Sequence, residues 1–292
     1  MSFSFEKSFK TALRSSWVIL KLIVPIYILA DVLFYYDLLS YITFIFKPLA
    51  LFLGLPQEAA LSIVSGLFLN LYAAIAFAAP LGLDAKSWTV LAVFLGIAHA
   101  LLVETEIMKR LGLSRVYSIV LRLSVGLLVG FFVTQMPNEW FVSSIVSTPE
   151  TLQPVRYDSI QAFVLNAAYE AFSLSLKIIV LVSLLIFVLD VIKSRPWMQR
   201  HAQNVNSGFS ILVGVILGIT YGAGILIAEY EKGLLKKREI LFIGTYLMIA
   251  HAMIEDTLLF VIFGANPWII VSLRLVFATL IAYGIAKYVN VR

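Results

Sequence analysis

Ile97-Ala98-His99-Ala100, followed by Glu104-Thr105, returns 152 residues later as Ile249-Ala250-His251-Ala252, followed by Asp256-Thr257. The same offset carries Gly112 to Gly264, and Leu121-Arg122-Leu123 to Leu273-Arg274-Leu275. Both copies lie within strongly apolar segments. A charged side chain at the centre of a bilayer costs about 3 kcal/mol on insertion scales, so it persists where it serves a site or a partner. Histidine, acid and arginine recurring at one offset therefore predict two related halves with a polar site between them.

Composition fixes the class. Of 292 residues, 61% are hydrophobic and 13% charged, with a mean hydropathy of +0.96. Soluble domains are roughly 45–50% apolar and about 25% charged. The apolar runs are continuous rather than alternating, which excludes a β-barrel. The expected fold is an all-α polytopic membrane protein. The first apolar stretch, 17–36, is as long as a full span and lacks a small-residue cleavage site, so it reads as a span rather than a signal peptide. Cysteine is absent, which removes disulfides and thiolate chemistry. In this class the net charge of +5 reports loop orientation, not a nucleic-acid partner.

Four regions are expected. Residues 1–16 read as an amphipathic helix, with Phe3, Phe5 and Phe9 on the bilayer and Lys7, Lys10 and Arg14 toward lipid phosphates. Residues 17–136 form a first repeat, 137–158 an outside linker, and 159–292 a second, inverted repeat. Segment 41–54 is short, contains Lys47-Pro48 and reads as interfacial. Segments 57–79 and 205–228 have soft centres, Ser65-Gly66 with Asn70-Leu71-Tyr72 in the first and Gly214, Gly218 and Thr220-Tyr221-Gly222-Ala223-Gly224 in the second. Glycines and small polar residues at those points permit a turn, so each segment reads as a re-entrant hairpin. Lys and Arg favour cytoplasmic loops. With both hairpins, and the N-terminus inside, fifteen fall inside and three outside; with two crossings instead, the split is eleven to seven. Each half is then one span, one hairpin and two further spans. Three crossings per half invert the second half, an architecture of secondary transporters with a midplane site.

This arrangement resembles the nucleoside-recognition or "Gate" domain. That domain is shared by concentrative nucleoside transporters, the membrane part of bacterial ferrous-iron transporters and spore-maturation membrane proteins. The resemblance is carried by Leu61-Ser62-Ile63-Val64-Ser65-Gly66-Leu67-Phe68-Leu69-Asn70-Leu71-Tyr72, by 97–106 and 249–257, and by the arginines at 122 and 274. It covers 55–134 and 205–288 and implies membrane transport or a pore-and-gate role. The domain's substrates are diverse, so it assigns none. The chain departs from the iron transporters in lacking a G-domain and cysteine, and it is shorter than a full nucleoside transporter.

The candidate substrate- or ion-binding residues are His99, Glu104, Thr105, His251, Glu255, Asp256 and Thr257, with Asn70, Tyr72, Thr220 and Tyr221 at the hairpin tips. Imidazole titrates near neutral pH, which suits proton coupling. On an unbroken helix of 3.6 residues per turn, Glu104 and Asp256 would stand about 140° round from their histidines. A break near the Glu104-Thr105 and Asp256-Thr257 dipeptides would join them. Glu106 and Glu255 share a helix face with His99 and His251, but Glu106, beside Lys109 and Arg110, reads as a solvated helix end. Arg122 and Arg274 read as structural or switch charges paired with Glu104 and Asp256, with an anion clamp as the alternative. His and carboxylate together can also ligate a divalent metal, which the residues leave unidentified; no cofactor is expected. Nucleotide-binding Gly-x-x-x-x-Gly-Lys, Gly-x-Ser-x-Gly and His-Glu-x-x-His are all absent, so no enzyme is expected.

The expected function is a secondary transporter or permease for a small polar solute, nucleoside-like on the resemblance, with proton coupling. The alternatives are a divalent metal-ion permease or channel, and a non-transporting membrane scaffold. Expected partners are the bilayer and a small solute or ion, without nucleic acid; homo-oligomers stay open. The expected location is a prokaryotic inner membrane with both termini cytoplasmic.

Overall fold

The computed structural model describes residues 4–36, 44–141, 159–195, 207–218, 226, 227, 230 and 235–288. Among these residues every regular element is helical. Six stretches are long and apolar enough to cross a membrane: Phe5–Leu33, Ala85–Arg110, Arg115–Thr134, Ile160–Ile192, Lys237–Val261 and Pro267–Lys287. The chain is therefore a polytopic helical membrane protein in contact with the lipid bilayer.

The first helix, α1 (Phe5–Tyr35), runs without interruption from the amphipathic segment into the first apolar span. At 1.5 Å per residue it is about 46 Å long. Phe5, Phe9, Leu13 and Trp17 are exposed along it. It packs along α8 (Ile160–Ser194), where Ser8 donates to Asp190 at 2.7 Å. These two helices form the periphery of the body. Both broken helices described below are far more enclosed, with 67% and 72% of their most apolar windows buried against 22% and 28% for α1 and α8.

Segment 41–54 contributes one short helix, α2 (Lys47–Phe52), that starts at Lys47-Pro48; residues 41–43 lie outside the described residues. Segment 57–79 folds back on itself, as its soft centre predicts. Helix α3 (Ala60–Phe68) stops at Leu69, and α4 (Leu71–Ala78) starts after Asn70, whose side chain accepts from the Ala73 N–H at 3.0 Å. The two arms pack together, and buried Ser62 donates across them to Ala74 O at 2.7 Å. In segment 205–228, helix α9 (Ser207–Leu217) ends at Gly218 with φ 88°. The turn expected at 220–224, with Thr220 and Tyr221, lies outside the described residues, as do 142–158 of the linker.

The centre holds α5 (Ala85–Ala98) with α6 (Leu101–Arg110), and α10 (Lys237–Ala250) with α11 (Met253–Val261). Helices α7 (Arg115–Thr134) and α12 (Pro267–Tyr288) back them. Helix α5 packs against α7 of its own half and against α10, α11 and α12 of the other, so one apolar core spans both halves. The repeated glycines end the second helix of each broken pair. Gly112 (φ 83°) and Gly264 (φ 88°) take a left-handed turn that lets Leu113 N–H reach Met108 O at 3.1 Å and Ala265 N–H reach Phe260 O at 3.3 Å.

Candidate functional site

The site is built on two breaks. His99 is extended (φ −65°, ψ 163°) and Ala100 left-handed (φ 45°, ψ 40°). His251 (φ −90°, ψ 164°) and Ala252 (φ 46°, ψ 35°) repeat the pair. Among the described residues these two alanines are the non-glycines with positive φ. Each costs roughly 1–2 kcal/mol, and such strain gathers at ligand and switch sites where surrounding bonds hold it.

Those bonds come from the arginines and from helices α3 and α9. Arg122 Nε donates to Ile97 O at 2.7 Å and its Nη2 to His99 O at 2.6 Å. Arg274 Nε donates to Ile249 O at 3.0 Å and its Nη2 to His251 O at 2.7 Å. Both arginines are fully buried. The Ala100 N–H bonds Gly66 O at 2.9 Å, and the Ala252 N–H bonds Gly214 O at 3.2 Å. Each arginine thus closes the carbonyl end of one half-helix, where the dipole is negative. Glu104 and Asp256 sit in the first turn of the next, where it is positive. Arg122 Nη2 stands 2.7 Å from Glu104 Oε2, and Arg274 Nη1 stands 3.3 Å from Asp256 Oδ2. The ion pairs bridge the breaks.

The break also turns Glu104 onto both histidines. Its Oε1 lies 3.2 Å from His99 Nε2 and 3.2 Å from His251 Nε2. The two imidazole rings are 5.2 Å apart, one from each half. His99 Nδ1 is 2.8 Å from Leu95 O, and His251 Nδ1 is 2.9 Å from Leu247 O. A carbonyl oxygen only accepts, so Nδ1 carries the hydrogen in both rings and Nε2 is left to face the carboxylate. Thr105 and Thr257, repeat partners on α6 and α11, are also buried. Neither hydroxyl has a hydrogen-bond partner among the described residues.

The two halves are not equivalent here. Arg274 Nη2 also donates across the interface to Gly96 O at 2.6 Å. A Cβ at Gly96 would stand 2.8 Å from Arg274 Nη1. The position 152 residues on is Met248, and Arg122 Nη1 finds no hydrogen-bond partner among the described residues. Gly96→Ala should therefore destabilise the protein. The alanine gains about 1 kcal/mol of helix propensity but overpacks a held guanidinium, at about 1–3 kcal/mol, and weakens a charge-assisted bond worth about 1.5–3 kcal/mol. The expected net loss is about 2 kcal/mol, read as a lower melting temperature in detergent.

The structure brings His99, Glu104, His251, Asp256, Arg122 and Arg274 together, with Thr105 and Thr257 on the same helices. Tyr72 reaches from the first hairpin to the second half, donating to Glu255 Oε1 at 3.2 Å. Asn70 is spent on capping α4. Glu106 is exposed and pairs with Arg115. Gly66, Gly96 and Gly214 were missed as site residues. Gly66 and Gly214 are 148 apart, not 152, because the second half has four more residues between this glycine and the break. A Cβ at either would strike Leu95 or Leu247, at 2.7 Å and 2.5 Å. The signal was the repeat itself: Leu95 and Leu247 are partners at the offset of 152, so a small residue facing each could have been sought.

The uncharacterized membrane protein YvoD of Bacillus subtilis (strain 168) is 25% identical to this chain over 293 aligned positions, covering 94% of this chain and 91% of the relative. No family model matches the chain, and no solved structure matches it. The relative's description and the six apolar helices agree on an integral membrane protein.

Proposed function

We propose that this chain is a secondary transporter or permease for a small polar solute, with its site between two inverted repeats and protons as the coupling ion. One observation carries the reading: Glu104 Oε1 is shared at 3.2 Å by the Nε2 atoms of His99 and His251, which come from opposite halves. With both rings neutral, lone pairs face a carboxylate. A proton on either Nε2 converts repulsion into a charge-assisted bond. A proton bound at His251 ties the second half to Glu104 of the first, and its loss loosens that tie. Alternating access needs a reversible bond of this kind between the halves.

The arginines serve the framework in this reading, since Arg274 and the Nε and Nη2 of Arg122 are held by carbonyls of the breaks and each guanidinium stands against a carboxylate. Substrate polarity is met by Thr105 and Thr257, by Tyr72 and Glu255, and by the hairpin tips, where Thr220 and Tyr221 belong in the proposal. Uncharged nucleosides are the first solute class to test, because the Gate-domain resemblance rests on the hairpin and broken helices. The reading places the protein in a prokaryotic inner membrane with both termini cytoplasmic, and it assigns no enzymatic step.

The test is uptake of labelled uridine, adenosine and small organic anions into proteoliposomes, with and without an inward proton gradient. The wild type should take up at least one of them faster with the gradient. The His99→Ala, His251→Ala double variant should lose that acceleration. Equal acceleration in both proteins would sink the proton role, and no uptake of any solute by the wild type would sink the choice of solute.

A further inference from the structure

We infer that His99 Nε2, His251 Nε2 and Glu104 Oε1 form a three-point site for a divalent transition-metal cation of the zinc type. The inference rests on the same site as the transport reading but does not require transport to follow from binding.

Geometry is the first support. The three ligand atoms lie within 4.8 Å of one another, and the two nitrogen–oxygen separations are 3.2 Å. Zinc bonds of about 2.0–2.1 Å in a tetrahedron place neighbouring ligand atoms about 3.3–3.4 Å apart. Two edges of the site are therefore within about 0.2 Å of that length, and the third, between the two Nε2 atoms, is no longer than 4.8 Å.

Outer contacts are the second support. Metal-ligating histidines donate their other ring N–H to a carbonyl or carboxylate, which fixes the tautomer and aims the lone pair. Both histidines have that contact, to Leu95 O and Leu247 O. Glu104 is oriented by charge: Arg122 Nη2 stands 2.7 Å from Oε2, and Oε1 is left toward the rings. Among the described residues, His251 Nε2 has no aligned hydrogen-bond partner although it is buried. A buried nitrogen aimed at a carboxylate with no hydrogen-bond alignment suits a third atom between them.

Charge and ligand type decide the class of cation. The cluster and its flank hold three carboxylates, Glu104, Glu255 and Asp256, against two guanidiniums, Arg122 and Arg274. With neutral imidazoles, one negative charge is left for a cation to offset. Calcium and magnesium prefer oxygen-only shells. Imidazole with carboxylate suits zinc and its neighbours in the first transition row, and the absence of thiolate disfavours copper(I). Three protein ligands leave one tetrahedral position open, the pattern of sites that exchange a ligand rather than of closed structural ones. Metal and protons would compete for the same Nε2 atoms, which makes the cation an alternative occupant of the proton latch.

The experiment uses the tag-free full-length protein in detergent, stripped with chelator and dialysed against zinc chloride. About one zinc per chain should bind, at least about tenfold more weakly near pH 6 than near pH 8, because ligation requires deprotonated Nε2. Glu104→Gln and His251→Ala should each weaken binding at least about tenfold. His201→Ala, which removes the third histidine of the chain, should leave it unchanged. Absence of saturable zinc binding by the wild type overturns the inference. So does binding that survives Glu104→Gln and His251→Ala but disappears with His201→Ala. If those two variants fail to elute as folded protein, cobalt(II) on the wild type decides. Intense visible bands of a tetrahedral ion support the site, and the weak bands of an octahedral ion overturn it. Zinc binding without proton-accelerated uptake would sink the transport reading alone, and proton-accelerated uptake without zinc binding would sink the metal site alone.

Discussion

Arg274→Ala should abolish recovery of folded protein. The guanidinium is fully buried and donates to Ile249 O, His251 O, Gly96 O and Asp256 Oδ2. Removing it strands three carbonyls and a carboxylate in an apolar interior. Breaking a buried ion pair alone costs about 3–5 kcal/mol, and each carbonyl left without its donor adds about 1–3 kcal/mol. Whole proteins hold only about 5–15 kcal/mol of stability, so even half of the sum removes most of the margin. Lysine should not rescue the position, because a point charge with three donors on a flexible stem cannot reproduce a planar fork that spans three carbonyls. Arg122→Ala should be less damaging, since among the described residues Arg122 makes no bond across the halves that corresponds to Arg274 with Gly96. The measure is the monodisperse fraction by size-exclusion chromatography in detergent. A well-folded Arg274→Ala protein would contradict this account of the break.

Glu104→Gln should cost about 3–5 kcal/mol, the range for removing one partner of a buried charge pair. It takes the anion from Arg122, His99 and His251 together while keeping the volume and an acceptor oxygen. Asp256→Asn should cost less, because Asp256 has one arginine partner at 3.3 Å and no histidine at contact distance among the described residues. The distinguishing consequence concerns pH. The wild-type melting temperature should be higher at about pH 6 than at about pH 8, because a proton on Nε2 of either ring bonds the Glu104 carboxylate, and the Glu104→Gln protein should lose most of that difference. Scanning both proteins across this range checks it. Identical profiles would show that the shared carboxylate does not sense protonation of the rings.

Much of this was legible in the chain because polar residues are conspicuous in an apolar background. His99, Glu104 and Arg122 stood out against their segments, and their return as His251, Asp256 and Arg274 predicted that they act together. The turn at Asn70 was legible from the loss of apolar character at Ser65-Gly66 and Asn70. The position of each helix break was not. Ala100 and Ala252 are good helix formers, and nothing local marks them for positive φ. The break is imposed by tertiary bonds, from Arg122 and Gly66 O on one side and Arg274 and Gly214 O on the other. It falls directly after each histidine, four residues before the acid, rather than at the Glu-Thr and Asp-Thr dipeptides. The same bonds explain why each acid meets an arginine. Crossing between halves depends on Gly96, whose partner Met248 carries a side chain, and no single-position pattern reveals that asymmetry.

The most direct test of the proton-linked site is a thermal-stabilisation screen of the purified wild type at about pH 6 and about pH 8, with nucleosides, divalent metals and small organic anions. A ligand present at about 100 times its dissociation constant adds about 2.7 kcal/mol to the folded state, which a melting curve reads easily. The account predicts that at least one class raises the melting temperature, by amounts that differ between the two pH values, and that His251→Ala loses the effect. No stabilisation by any member of the panel at either pH, with wild type and His251→Ala melting alike throughout, would contradict it.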